Sequence, residues 1–346
     1  MDSVTKFLKA LKIYDDLIIL RIHMRYRLIL TALGILGSIV LSLPIQAQND
    51  SFVSFSIMNP TLHNPAWVGN DRMAHAILQV RSQWTGYKTS FDGKGGAPSS
   101  LVFNMSVPVS KKFSGIGVFL LNETMGPVNN MVLNLPLSYK IDLNESELIL
   151  GLMPGIISRS QNFNELRFND SGDPLNKIGT KETQTLFNLA VGALYSLPRN
   201  SYVGLSVSNL TQPKFNYGLS ELSNKMLTNY TLMFGAIRTL KKGLEFRPNL
   251  VVKTDLNTLT VDLGAQVQYN ARMWMGASYR WSEAFVVMGG YSLMEKNRLK
   301  LGFALDLVVH NSQAKKATSQ EIYIRYDLLD FVLGGKKKIK TPRFIN

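Results

Sequence analysis

The chain lacks cysteine, and it has few histidines and few acidic residues. Its 346 residues include no Cys, four His and 24 Asp or Glu against 38 Lys or Arg. Without cysteine the protein has no disulfide, no thiolate metal site, no cysteine nucleophile and no lipid-modified cysteine. The formal charge of +14 suits anionic lipid and lipopolysaccharide head groups, but it also suits nucleic acid or plain solubility. Charge alone therefore does not select a class of partner.

A hydrophobic run of transmembrane-helix length is also missing. The long apolar stretch at 28–43 covers roughly 16 residues, fewer than the ~20 that a helix needs to cross a bilayer. Arg25 and Arg27 precede this stretch and the small residue Ala47 follows it, which is typical of a cleaved signal peptide. We therefore predict a signal peptide at 24–47 with cleavage between Ala47 and Gln48; an uncleaved membrane anchor is the alternative.

The remaining boundaries follow from this signal. Residues 1–23 fit an upstream start-codon artefact, which we favour, or an unusually long n-region. No hinge-like linker interrupts the rest, so we predict one domain at 48–333. A basic tail at 334–346, with three consecutive lysines from Lys336, is either simply solvated or binds anionic lipid or a periplasmic partner.

Hydrophobicity alternates along the domain with a period of two. In 259–269, apolar side chains occupy one alternate set of positions and polar or small ones the other. The pattern recurs at 299–309, 131–143 and 321–328, and about ten shorter or weaker segments resemble it. A helix would scatter these residues, so the segments are predicted strands. Lengths of about 9 to 13 residues exceed those usual in soluble sheets and match tilted membrane-spanning strands.

We therefore predict an all-β fold, a transmembrane antiparallel β-barrel of about fourteen strands, with about twelve or sixteen as alternatives. A closed barrel leaves no unpaired edge in lipid. Four short connections (144–145, 198–200, 241–243 and 270–271) contrast with a long polar one at 159–184, as in barrels with periplasmic turns and outer loops. A soluble β-sandwich remains the structural alternative.

Aromatic residues recur near the ends of the predicted strands. A membrane barrel places such residues in girdles at the two interfaces. The predicted girdle contains Trp84, Tyr139, Tyr195, Tyr202, Tyr230, Tyr269, Trp281, Tyr291 and Tyr326.

Several ordered motifs carry a family resemblance. The segment at 58–69 reads MNPTLHNPAWVG, and 81–87 reads RSQWTGY. Further motifs are GAPS at 96–99, NETMGP at 122–127, NLTQP at 209–213, WMGASYR at 274–280 and EIYIRY at 321–326. Each alone is weak, but together they span nearly the whole domain. In this order and spacing the chain resembles the PorP/SprF family, membrane proteins associated with type IX secretion in Gram-negative bacteria.

The resemblance implies an outer-membrane barrel that works with the type IX system, which moves cargo bearing a C-terminal signal domain across the outer membrane. Family members help attach large surface adhesins in gliding motility or tether periplasmic machinery. We therefore expect a non-enzymatic component that acts in secretion, attachment or anchoring. The implied partners are outer-membrane lipid and lipopolysaccharide, and either the secretion machinery or a large secreted adhesin, but no nucleic acid. The basic tail departs from the usual end of a barrel.

The segment before the first strand is a candidate plug or docking element. Each of its two Asn-Pro steps restricts the residue before proline to an extended conformation, so the segment forms a fixed bend. It either plugs or docks at the barrel mouth, or it is a turn that closes the first strand against the last. The candidate residues are Asn59, Pro60, Asn64, Pro65, Trp67 and Gly69.

A second candidate set lies on the polar faces of the strands. Arg81 and Gln83 would point into the lumen if Val80 and Trp84 meet lipid, and a buried arginine needs a carboxylate partner. This favours an internal network of ion pairs over a chemical site. The predicted network contains Arg81, Gln83, Asp262, Asp306, Glu321 and Arg325.

Enzyme chemistry finds little support in the sequence. The domain carries His63, His75 and His310, and no local pattern nominates a nucleophile beside them. Metal clusters, phosphate loops and dinucleotide fingerprints are absent from the sequence, so no cofactor is predicted. The alternative function is a porin or a transporter of hydrophobic substrates, since about fourteen strands can surround a channel. A barrel hydrolase is a third class.

Overall fold

The structure is a computed structural model that describes residues 53–71, 73–87, 96–109, 113–166, 181–217, 224–309 and 317–328. The predicted signal peptide at 24–47, its cleavage site between Ala47 and Gln48, and the basic tail at 334–346 lie outside the described residues. None of the described helices is long and apolar enough to cross a membrane.

Fourteen antiparallel strands close into one barrel. They are β1 Ala74–Ser82, β2 Ser99–Pro108, β3 Phe113–Met125, β4 in two parts at Val128–Asn134 and Leu137–Leu143, β5 Ser146–Gln161, β6 Glu182–Leu197, β7 Ser201–Ser208, β8 in two parts at Asn229–Ala236 and Arg238–Lys241, β9 Leu244–Thr254, β10 Leu259–Tyr269, β11 Met273–Arg280, β12 Ala284–Leu293, β13 Leu299–Val308 and β14 Thr318–Leu328. The predicted fold and the strand number are confirmed.

The barrel closes between its first and last strands. β1 pairs with β14 from Ala74 opposite Leu328 to Ser82 opposite Gln320, so no edge is left at this seam. Within β4, the break falls at Leu135-Pro136, because proline has no N–H to donate to the ladder.

The alternation of the sequence becomes an outer and an inner surface. In β13, Phe303 is 51% exposed on the outside, whereas Asp306 on the opposite face is fully buried. The outer apolar surface is what a lipid-facing wall requires. The buried polar inner surface implies that something fills the interior.

The two ends of the barrel differ in their connections. At the end where β1 begins and β14 ends, here called the terminal end, neighbouring strands are joined by turns such as 144–145 and 198–200. At the opposite end, here called the loop end, the connections include 83–98, 162–181 and 209–228. Barrels of this class place short turns in the periplasm and longer loops outside.

Most of the predicted girdle residues are exposed on the outer surface near strand ends; Tyr202 is not. Its ring packs against Trp67 with centroids 4.6 Å apart and an edge-to-face geometry. The prediction for Tyr202 is wrong, because alternate residues of β7 face inward and Tyr202 shares that parity with the buried Gly204 and Ser206. Exposed members of the set include Tyr139, Tyr195, Tyr230, Tyr269, Trp281, Tyr291 and Tyr326.

The interior is occupied by the residues that precede β1. Residues 53–71, here called the inner segment, contain three short 3₁₀ helices at Ser56–Met58, Pro60–Leu62 and Pro65–Trp67. The last two begin at proline, whose fixed φ suits the first position of a helical turn. Most side chains of the inner segment are buried against the wall.

Candidate functional site in the barrel interior

The inner segment begins inside a cluster of buried charges contributed by the wall near the loop end. The hydroxyl of Ser54 donates to Asp306 Oδ1 at 2.6 Å, and the backbone N–H of Ser54 donates to Glu321 Oε2 at 2.5 Å. Two carboxylates from neighbouring strands thus bind the start of the segment directly. Hydrogen bonds to ionised acceptors are about twice as strong as neutral ones.

Two arginines balance these carboxylates. Arg81 reaches Asp306 Oδ2 at 2.8 Å through Nη2 and Glu321 Oε2 at 3.6 Å through Nη1. Arg280 reaches Asp262 Oδ2 at 3.5 Å and Asp306 Oδ2 at 3.6 Å. We call these five residues the loop-side ionic cluster; they come from β1, β10, β11, β13 and β14.

Both arginines also touch the inner segment. Arg81 Nη1 donates to the Ser54 hydroxyl at 2.5 Å, and Arg280 Nη2 donates to the carbonyl of Val53 at 3.2 Å. Because these charges are almost fully buried, their mutual attraction mainly offsets the cost of removing them from water. The cluster therefore specifies where the segment starts more than it adds stability.

A chain of amides continues the attachment along the wall. Gln79 Nε2 donates to Glu321 Oε1 at 3.0 Å, and Gln79 Oε1 accepts from Asn59 Nδ2 at 2.6 Å. Asn59 Oδ1 in turn accepts from Asn104 Nδ2 at 2.7 Å. Asn59, singled out by its Asn-Pro step, thus links the segment to β1 and β2.

The second Asn-Pro step crosses to the far side of the barrel. Asn64 Nδ2 donates to the carbonyls of Ala193 at 3.0 Å and Leu205 at 3.1 Å, on β6 and β7. Its Oδ1 caps the following helical turn by accepting from the backbone N–H of Ala66 at 2.9 Å. The side chain therefore binds the wall and fixes the local backbone at once.

Glycines in the wall make room for this part of the segment. A Cβ on Gly151 would lie 2.6 Å from Ala66 Cα, and a Cβ on Gly115 would lie 2.5 Å from Gly69 Cα. Real side chains do not approach so closely, so only glycine fits at these wall positions. Gly69 itself has a φ of +75°, which favours glycine there as well.

Further bonds fix the end of the segment before it enters β1. The backbone N–H of Gly69 donates to Ser106 Oγ at 2.8 Å, and Ser138 Oγ donates to the carbonyl of Val68 at 2.6 Å. Together with the Trp67–Tyr202 ring contact, they bind the segment to β2, β4 and β7.

A second group of charges lies near the terminal end. Arg325 reaches Asp71 Oδ2 at 2.8 Å and Asp327 Oδ1 at 2.7 Å, and Lys300 Nζ reaches Asp327 Oδ2 at 2.7 Å. Burial opposes ionisation of Asp71, but the Arg325 guanidinium outweighs it and holds the pKa of this carboxyl well below its usual range. Asp71 therefore stays charged and ties the end of the inner segment to β14.

The predicted network is thus divided. The structure brings Arg81, Asp262, Asp306 and Glu321 into the loop-side cluster, whereas Arg325 belongs to the terminal-end group. Gln83 lies outside both: it follows the end of β1, and its backbone N–H donates to the carbonyl of Pro98 at 2.8 Å. The reason is the length of β1, which ends at Ser82 and so places Gln83 in a connection rather than on the inner face.

Sequence reasoning did not name Arg280, Ser54, Lys300 or Asp71. Arg280 closes the WMGASYR motif at the end of an alternating strand, so its parity with Trp274 and Ser278 could have indicated an inward position. Lys300 likewise shares the parity of Asp306 in the alternating segment 299–309. Ser54 and Asp71 lie outside the strands and carried no such signal.

His63 lies at the centre of the segment with a buried imidazole. Within the described residues neither ring nitrogen has a hydrogen-bond partner, while the His63 carbonyl accepts from Ser206 Oγ at 2.5 Å. Burial lowers the pKa of this imidazole well below its usual value, and the charges of Lys253 and Arg280 lower it further. The ring is therefore neutral at physiological pH.

The arrangement is suited to holding a segment inside the barrel. The charged groups of the loop-side ionic cluster bind one another and the start of the inner segment. Those of the terminal-end group bind one another and the Asp71 side chain. Among the described residues, no group of three or more His, Asp or Glu side chains is placed to hold a metal ion. A cavity of about 330 Å³ remains between the segment and the wall, lined in part by Trp67, Tyr202 and Trp274.

A closed antiparallel barrel with a lipid-compatible outer surface defines the class of outer-membrane β-barrels. Residues 45–326 match the family described as type IX secretion system membrane protein PorP/SprF. The chain belongs to this family, and the resemblance seen in its motifs is confirmed. The protein is accordingly an outer-membrane barrel associated with type IX secretion.

Solved structures of outer-membrane barrels are similar to the chain at low sequence identity. A FadL homologue of Pseudomonas aeruginosa is 12% identical, with 76% of this chain and 92% of that chain covered and a TM-score of 0.41. The toluene transporter TbuX of Ralstonia pickettii is 10% identical, with coverages of 80% and 93% and a TM-score of 0.44. Omp33 of Acinetobacter baumannii is 8% identical, with coverages of 74% and 98% and a TM-score of 0.41. Among curated proteins there is no significant match.

Proposed function

We propose that this protein is a non-enzymatic anchoring component of the type IX secretion system, which holds a cargo adhesin or part of the machinery at the outer membrane. The observation that carries the proposal is the inner segment, which lies inside the lumen and binds strands on opposite sides of the barrel. A barrel filled in this way offers a rigid platform rather than an open path for solutes.

The binding of the segment explains why we favour anchoring over conduction. To open a wide path, the segment would have to break its contacts with the loop-side ionic cluster, the terminal-end group and the wall glycines at the same time. In the loop-side cluster, Asp306 and Glu321 would lose the hydrogen bonds from Ser54. Arg325 would lose its ion pair with Asp71, and removing one partner from a buried ion pair costs about 3–5 kcal/mol. Displacement of the whole segment is therefore strongly opposed.

Conductance in planar bilayers tests the first half of the proposal. The purified full chain is expected to show no conductance that depends on a substrate. A chain lacking residues 53–71, refolded in parallel, is the positive control, because an emptied barrel of fourteen strands would conduct. Full-chain conductance comparable to that of the deletion chain would instead support a porin or a transporter of hydrophobic substrates.

Co-purification tests the second half. A tagged chain, crosslinked in its native membrane before extraction, is expected to retain either a type IX machinery protein or a large secreted adhesin. A tagged outer-membrane barrel of another family, expressed at the same level, is the control. Recovery of neither class of partner, or equal recovery on the control barrel, would contradict anchoring.

An assay of ester hydrolysis tests whether the protein is non-enzymatic. Because the buried carboxylates and arginines bind each other, we expect no hydrolysis of ester substrates by the detergent-solubilised barrel. Turnover that survives further purification would support a barrel hydrolase.

A further inference from the structure

Among the described residues, exposed basic side chains concentrate on one side of the terminal end. They lie in four successive connections, from the β6–β7 turn to the β12–β13 turn, or on the strand ends beside them. The set, here called the basic arc, consists of Arg199, Arg238, Lys241, Lys242, Arg272 and Lys296, all of which are exposed.

The basic arc forms one continuous surface because its connections are hydrogen-bonded to each other. The N–H of Ile237 donates to the Asn200 carbonyl at 2.8 Å, and the N–H of Asn270 donates to the Gly243 carbonyl at 2.6 Å. The guanidinium of Arg238 also donates to the carbonyl of Arg199. The charges are therefore carried on a fixed scaffold.

Acidic residues do not balance the arc. Glu245 is already paired with Arg247 at 2.8 Å, which leaves Glu295 as the exposed acid in these connections. On the other side of the terminal end, Lys140 is held by Glu147 at 3.0 Å and by Asp142 at 3.6 Å. Among the residues that the structure describes at the terminal end, exposed positive charge is thus concentrated in the basic arc.

Apolar and aromatic side chains alternate with the cations. Leu240 and Met294 are exposed within the same connections, and Tyr195, Tyr269 and Tyr291 are exposed on the outer surface just inside them. Aromatic rings beside basic residues are typical of the level of the lipid head groups. An acidic protein surface would pair with the cations but gives no reason for the exposed rings and the two exposed apolar side chains.

We propose that the basic arc binds the head groups of anionic phospholipids in the periplasmic leaflet of the outer membrane. The short turns of an outer-membrane barrel face the periplasm, which places the arc at that leaflet. There, each lysine or arginine near an anionic surface contributes about fivefold to binding. The arc selects lipid by charge and orients one side of the barrel toward an anionic patch.

The test measures lipid selectivity of the purified full chain. The barrel is released into the mass spectrometer from detergent that contains equal amounts of phosphatidylglycerol and phosphatidylethanolamine, and the bound lipids are counted. The arc variant carries Lys241→Gln, Lys242→Gln and Arg272→Gln. The control variant carries Lys181→Gln, Lys214→Gln and Lys225→Gln, which remove the same charge from exposed positions near the loop end.

We expect the unmodified barrel and the control variant to bind phosphatidylglycerol preferentially, and the arc variant to lose at least about fivefold of that preference. Added salt should weaken the preference of the unmodified barrel in the same direction. Equal selectivity in the arc variant and the unmodified barrel would overturn the proposal, and so would an equal loss in both variants. A folded arc variant with unchanged lipid selectivity that no longer retains an acidic partner protein would assign the surface to that protein instead.

Discussion

The two halves of the inner segment are attached to the same wall by different physical means. At its start, Ser54 is held by Asp306, Glu321 and Arg81, through charged groups that are buried. Around Ala66 and Gly69 the attachment is close backbone contact with wall glycines. Charge thus fixes the start of the segment and close backbone contact fixes the part around Ala66 and Gly69, while an ion pair returns at the last residue, Asp71.

This difference determines which amino-acid substitutions destabilise each half. A buried ion pair is sensitive to loss of one partner, because the remaining charge has no compensation. A close backbone contact has no charge to lose, but it tolerates no added volume. Substitutions aimed at one half or the other can therefore separate the two modes of attachment.

Arg81→Ala has the largest expected effect. The substitution leaves Asp306 and Glu321 short of a cation in a region where the three side chains are 3% exposed or less, so we expect a loss of about 3–5 kcal/mol. The yield of folded barrel should fall, as measured by heat-modifiable migration on cold gels and by urea unfolding. Arg81→Met combined with Asp306→Asn should recover part of the loss, since it removes one charge of each sign. Unchanged migration of the single variant would contradict a role for charge.

Gly151→Ala tests the close backbone contact of the second half and has the next largest expected effect on stability. The new Cβ would lie 2.6 Å from Ala66 Cα, so the segment or β5 must shift, at a cost of about 1–3 kcal/mol. Urea unfolding measures the loss. Gly289→Ala is the matched control, because a Cβ there has 3.6 Å to the Trp274 carbonyl oxygen. Equal stability of the two variants would show that the fit against Ala66 does not constrain the wall.

His63 lies between the two halves, and its titration makes the stability of the folded barrel depend on pH. Its folded pKa is depressed, so above about pH 6.5 both folded and unfolded chains carry a neutral ring and His63 has no effect. As the pH falls below that value, the unfolded chain binds a proton that the folded one does not. Stability is then lost by up to about 1.4 kcal/mol per pH unit. We expect the unfolding midpoint to fall between pH 7.5 and 5.5, and to fall less in His63→Gln. Equal pH dependence in both proteins would place the titrating group elsewhere.

The wall of the barrel was predictable from sequence because its signal is local. Alternation at 259–269 and 299–309 follows from the two faces of a strand. The same alternation places Arg81, Asp306 and Glu321 on the inner face. The need of a buried arginine for carboxylates then links these residues without knowledge of the strand register.

The interior was less predictable because its contacts are distant in sequence. Asn64 binds carbonyls 129 and 141 residues away, and no local pattern encodes such pairs. The two Asn-Pro steps indicated a fixed bend but favoured a closing turn over a plug. No local pattern marks Gly151, since the reason for its missing side chain is the close contact with the inner segment.

The smallest expected effect comes from the ion pair between Arg247 and Glu245, which is as short as the Arg81–Asp306 pair but more exposed to water. Arg247 Nη2 lies 2.8 Å from Glu245 Oε2, as Arg81 Nη2 lies from Asp306, but the side chains of Arg247 and Glu245 are 34% and 38% exposed. Water and salt screen such a pair, so Arg247→Ala should cost less than about 1 kcal/mol. Urea unfolding at low and high salt measures the difference. If Arg247→Ala lowered the free energy of unfolding as much as Arg81→Ala, the distance within the pair rather than its burial would set the loss. The different sensitivity of the two halves of the inner segment would then have another cause.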